Sequence, residues 1–128
     1  MKNFFAIVAA TLWISISEFV RNEWLLKHFW VDHYADLGLH FPSSPINGMV
    51  WGVWSLCLAL GIFFLLKRFT FLQSVGIAWW MGFVMMWLVT GNMMVLPFAI
   101  LLYAIPLSVL EVALAAGILL KLRGNPSG

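Results

Sequence analysis

The sequence predicts an all-α integral membrane protein: a four-transmembrane-helix bundle, both termini cytoplasmic, with one longer outer loop between helices 1 and 2. Three observations predict it. Hydrophobic residues make up 63% of the 128-residue chain and charged residues only 9%, with a mean hydropathy of +0.98. A water-soluble domain carries roughly 25% charged residues to cover its surface. The apolar residues also come in long stretches, and a bilayer core of about 30 Å needs about 20 of them in a helix rising 1.5 Å per residue. Finally, the basic residues gather at one end of those stretches. With a single cysteine, Cys57, and no basic run beyond Lys67-Arg68, a disulfide scaffold and nucleic-acid binding fall away.

Residues 1–128 read as one transmembrane domain. The first span covers 4–26 and is interrupted by polar groups only near its far end. A secretory signal competes for this start, because Lys2, an apolar stretch and Ser15-Ile16-Ser17 fit the loose cleavage rule. Against it, Thr11, Ser15, Glu18 and Asn22 form one polar stripe at helical spacing that runs straight through that position, so the helix is read as retained. The outer loop covers 27–46 and the second span 47–66. From Phe69 to Leu110 there is no charge, too long a stretch for one crossing. It folds back at Gly91-Asn92 and Pro97, since Gly or Asn suits a helix end and Pro a helix start. The third span is therefore 71–90 and the fourth 97–120.

Lys2, Lys67, Arg68, Lys121 and Arg123 fall on one side of this arrangement, and only Arg21 and Lys27 on the other. Basic residues favour the cytoplasmic side, which places the chain in a cytoplasmic (inner) membrane with both termini inside. Trp24, Trp30, Trp51, Trp54 and Trp87 then lie towards the outer interface, where indole rings prefer to sit.

Lipid gives helices no hydrophobic reason to associate, so small and polar residues mark the faces that meet. Gly48, Gly52, Ser55 and Ala59 form such a row on the second span, and Ala104, Ser108, Glu111 and Ala115 on the fourth. The third offers Gly76 and Gly82. Met81, Met85, Met86, Met93 and Met94 read as packing filler rather than a thioether copper site.

Glu18, Arg21 and Glu111 sit where hydrocarbon is expected, at a cost on the order of 3 kcal/mol each by insertion scales. Glu18 lies somewhat outward of the middle of its span and Glu111 somewhat inward of the middle of the fourth. Side chains lean towards the N-terminus of their own helix, so in antiparallel helices the two carboxylates approach one level, with Arg21 one turn away. An intramembrane polar cluster of Glu18, Arg21 and Glu111, with Ser15, Asn22 and Ser108 beside it, is the expected site. Glu111 has no basic neighbour in sequence and is the better proton carrier, and Pro106 before it frees the Leu102 carbonyl and invites a kink.

In the outer loop His28, Asp32, Asp36 and His40 recur every four residues, with His33 beside Asp32 and Gly38 placed to end a helix. His28, Asp32, His33 and Asp36 offer a divalent metal imidazole and carboxylate ligands. The same segment, with Trp30, Tyr34 and Phe41, also suits the headgroup layer, which is the favoured reading, so no cofactor is expected. Pro42-Ser43-Ser44-Pro45 reads as a stiff turn with Ser44 or Asn47 near the next cap, and Glu23 and Lys27 as a surface pair.

No nucleophile–base set or phosphate-cradling loop is present, so the chain does not read as an enzyme. The expected function is handling of protons or small cations by a transporter or channel, working as a homo-oligomer in the lipid bilayer. The alternatives are an accessory subunit packed on a membrane-protein partner, and a metal-binding or enzymatic module built on the outer loop.

Overall fold

A computed structural model describes residues 1–40 and 45–123; Phe41 and, except for Pro45, the turn expected at Pro42-Ser43-Ser44-Pro45 lie outside the described residues. Four helices are long and apolar enough to cross a membrane: Lys2–Leu25, Pro45–Leu65, Phe71–Asn92 and Phe98–Leu122. They start and stop within a turn of the apolar stretches, because hydropathy and the caps coincide. The third helix begins on Thr70, whose hydroxyl accepts from the Gln73 N–H while the Gln73 side chain accepts from the Thr70 N–H. Among the described residues there is no strand.

The first span packs between the second and the fourth, and the third closes the bundle against both of those. Its buried face is Ala6, Ala10, Ile14, Glu18 and Arg21. Thr11, Ser15 and Asn22 flank that face half-buried, one step round from where the polar stripe alone would centre it. Ala104, Ser108, Glu111 and Ala115 are all buried on the fourth span, whose helix continues through Pro106. On the second span only Ser55 and Ala59 of the small row face the core. A Cβ added at Gly48 or Gly52 would meet nothing within 4 Å among the described residues, so neither glycine is needed for a close approach there.

Two features depart from plain α-helices. The first span ends in a π segment, Val20–Leu25, and the third contains another, Trp80–Val84. In each the closing N–H reaches five residues back, from Leu26 to the Arg21 carbonyl at 2.8 Å and from Met85 to that of Trp80. Gly82 lies within the second of these, where an added Cβ would come 3.3 Å from Leu58 Cδ1, so the glycine lets the second and third spans approach closely.

After a break at Leu26 (φ −116°, ψ 10°) a separate short helix, Lys27–Asp36, occupies the outer connection. Gly38 (φ 75°) ends it as expected, with Leu39 N–H on the Tyr34 carbonyl and Gly38 N–H on that of Ala35. The turn after the third span uses the same pair of bonds, but its left-handed residue is Met94 (φ 64°) rather than Gly91 or Asn92. Gly91 serves a different need, since an added Cβ would stand 3.2 Å from the Phe98 ring. Gly91→Ala is therefore expected to lower stability by about 1 kcal/mol through overpacking, measurable by thermal unfolding in detergent. Of the methionines only Met86 packs on the core; Met81, Met85, Met93 and Met94 are exposed, on a surface where lipid is the expected neighbour.

Candidate functional site

The first and fourth spans bring Glu18, Arg21 and Glu111 together in the interior, exposed by 4%, 5% and 1%. Arg21 Nη2 donates to Glu18 Oε1 at 2.5 Å, and Asn22 Nδ2 donates to Glu18 Oε2 at 2.9 Å. Both oxygens of Glu18 are thus engaged. Glu111 is served far less well. Its Oε1 lies 3.8 Å from Arg21 Nη1, an ion-pair distance but not a hydrogen bond. Among the described residues, Arg21 Nη1 and both Glu111 oxygens are buried without a hydrogen-bond partner. Two carboxylates share one guanidinium, and Glu111 is the one that receives no hydrogen bond from it.

The second face of Arg21 is aromatic. Its guanidinium carbon lies 5.3 Å from the centre of the Phe83 ring, so a residue of one π segment rests on a residue of the other. Segments of this kind often occur at functional sites, because the extra residue re-aims side chains. Phe83 is fully buried and meets Trp54 edge-on at 5.4 Å and Trp87 at 5.8 Å. Trp54 and Trp87, expected at the interface, thus pack partly into the core around it, whereas Trp24 and Trp51 are exposed. Trp13 Nε1 donates to the backbone carbonyl of Glu111 at 2.9 Å, which fixes the register of the first span on the fourth. Trp13→Phe is expected to cost about 1 kcal/mol, one interhelical hydrogen bond, read by chemical unfolding in mixed micelles.

Ser108 is buried but directed elsewhere: it donates to the Ile105 carbonyl and accepts from Trp79 Nε1 at 2.9 Å. Ser15 lies half-buried on the first span one turn before Glu18. Asn22 extends the cluster outward, because its Oδ1 accepts from Trp30 Nε1 at 3.1 Å. A chain of side chains therefore runs from the short helix through Asn22 to Glu18 and Arg21. Trp13, Phe83 and Trp30 carried no polar pattern that would have marked them beforehand.

The outer residues do not converge. Among the described residues, no three His, Cys, Asp or Glu side chains are grouped to hold a metal ion. His28, Asp32 and Asp36 are exposed, and His28 lies against the Phe29 ring at 4.2 Å. His33 Nε2 makes a 2.8 Å hydrogen bond with the carbonyl of Met94, joining the short helix to the turn between the third and fourth spans. Beneath it Leu26, Leu96 and Ile100 form a small second core with Phe29, Trp30 and Trp87. Glu23 and Lys27 form the expected pair at 3.4 Å. No protein-family model, curated protein or solved structure matches the chain.

Proposed function

We propose that this protein is a small multi-pass membrane protein that takes up and releases a proton or a small cation at Glu111, with Glu18 and Arg21 setting the charge around it. The observation that carries the reading is the unequal treatment of the two acids. Glu18 is held by two donors, as a structural counter-ion would be, while Glu111 is buried with no hydrogen-bond donor on either oxygen. A buried acid at membrane depth is costly and is expected to be paired or functional. Here the hydrogen bonds go to Glu18, and Glu111 has only the longer 3.8 Å contact with Arg21. A proton on Glu111, or a cation beside it, would balance the second carboxylate. The positive-inside bias supports a cytoplasmic membrane with both termini inside.

Infrared difference spectroscopy of the protein in lipid tests this. Titration is expected to produce a protonated-carboxyl stretch that Glu111→Gln removes and Glu18→Gln leaves. If the wild type shows no titrating carboxyl, the cluster is a permanent clasp between helices and the proposal fails.

A second reading, assembly with a further copy or as an accessory subunit of a larger complex, is favoured by one observation. Gly48 and Gly52 present small residues with open space for a side chain beside them among the described residues. Gly52→Leu is expected to dissociate such an assembly while leaving the bundle folded, which light scattering of the detergent-solubilised protein would register.

A further inference from the structure

We propose that the end of the bundle opposite the short helix is a binding surface for the phosphate headgroups of anionic phospholipids, spanning from the second–third connection to the end of the fourth span. Lys2, Lys67, Arg68, Lys121 and Arg123 are brought to this end by the fold. They lie at the start of the first span, in the second–third connection and at the end of the fourth span, the ends that successive antiparallel spans bring to one side. Arg123 Nη1 also donates to the Leu66 carbonyl at 3.4 Å, which joins the end of the fourth span to the connection that carries Lys67 and Arg68.

Among the described residues this end has basic side chains and no acidic one. The acids of the chain are Glu18, Glu23, Asp32, Asp36 and Glu111. Glu111, the nearest along the fourth span, stands about 15 Å from Lys121 at 1.5 Å per residue. Among the described residues every ion pair joins Arg21 or Lys27 to Glu18, Glu23 or Glu111, so all five basic residues here lack an acidic partner. These groups are free to meet an anion from outside the described fold.

The apolar surroundings favour a lipid as its source. The Lys67 ammonium lies 4.8 and 5.1 Å from the centres of the Phe63 and Phe64 rings, held at the rim of apolar surface. Phe64, Phe69, Leu120 and Leu122 are exposed beside the cations. A molecule that satisfies both features has a phosphate for the basic groups and acyl chains for the apolar ones. A soluble polyanion would leave those side chains uncovered.

The test uses the full chain in a zwitterionic detergent, titrated with phosphatidylglycerol or with phosphatidylcholine, and counts bound lipid by native mass spectrometry. Phosphatidylglycerol is expected to bind saturably and more tightly than phosphatidylcholine. Lys67→Gln with Arg68→Gln should weaken it roughly 25-fold, at about fivefold per basic residue near a phosphate. Lys121→Gln with Arg123→Gln provides a second, independent pair, and Lys27→Gln at the other end should change nothing. Equal binding of the two lipids, or phosphatidylglycerol binding unchanged in both folded double variants, would overturn the proposal. Neither result depends on whether Glu111 handles a proton.

Discussion

Replacing Arg21 by methionine is expected to destabilise the protein by about 3–5 kcal/mol, more than any other single change outside the backbone, because it strips a buried pair of its cation. Arg21 is 5% exposed and is the only basic residue placed against Glu18 and Glu111 among the described residues. Without it two carboxylates face each other in the interior with Asn22 as the remaining donor to Glu18. Their mutual repulsion is strong where no water screens it. A companion Glu18→Gln should recover much of the loss, since it removes one of the two stranded charges. Glu18→Gln alone should cost less, as the guanidinium keeps Glu111. Unfolding in mixed micelles measures all three. If Arg21→Met were as stable as the wild type, the cluster would have to be hydrated and the interior less dry than the packing indicates.

Phe83→Ala is the second large effect expected. Phe83 is fully buried beneath Arg21 and joins Trp54 and Trp87, so truncation opens a void among three helices. In a water-soluble protein a buried Phe→Ala costs about 3–5 kcal/mol, the sum of a transfer part and a cavity part. Where lipid is the solvent the transfer part largely vanishes, which leaves on the order of 2 kcal/mol from lost packing. Phe83→Leu separates packing from charge: it fills most of the volume but removes the ring face under the guanidinium, worth about 0.5–2 kcal/mol. If Phe83 positions Arg21, Phe83→Leu should also impair whatever activity depends on Glu111. If it only fills space, stability should fall a little and activity should not.

The architecture was legible because its causes are local. A run of apolar residues long enough to cross a membrane says where a helix must be, and Gly38 says where the short one stops. The approach of Glu18 to Glu111 was legible for a geometric reason, because antiparallel helices with side chains leaning in opposite senses bring the two acids to one level. What escaped depends on contacts between distant segments. The π segments Val20–Leu25 and Trp80–Val84 have no composition of their own and are set by how the spans meet around Arg21 and Phe83. Trp54 and Trp87 follow the usual interfacial habit of tryptophan in sequence, yet here they pack partly on the core around that ring. The left-handed residue of the last turn is Met94, although Gly91 and Asn92 nearby suit such a position better in isolation. The turn lies under the short helix, where the Met94 carbonyl meets His33, and Gly91 is needed against Phe98. The polar stripe of the first span contributes Glu18 to the buried face, with Thr11, Ser15 and Asn22 half-buried beside it. That face runs through Ala6, Ala10, Ile14 and Glu18, and its two alanines let neighbouring spans come close.

The most direct test of the account is proton movement into sealed proteoliposomes carrying an interior pH dye, with wild type, Glu111→Gln and Glu18→Gln compared at equal protein content. Small cations would be added outside in turn. The account predicts flux in the wild type, with or without a particular cation, and its loss in Glu111→Gln while the helical content and melting temperature are kept. Flux that persists undiminished in folded Glu111→Gln, or no flux from the folded wild type under any added cation, would contradict it and leave Glu18, Arg21 and Glu111 as a clasp.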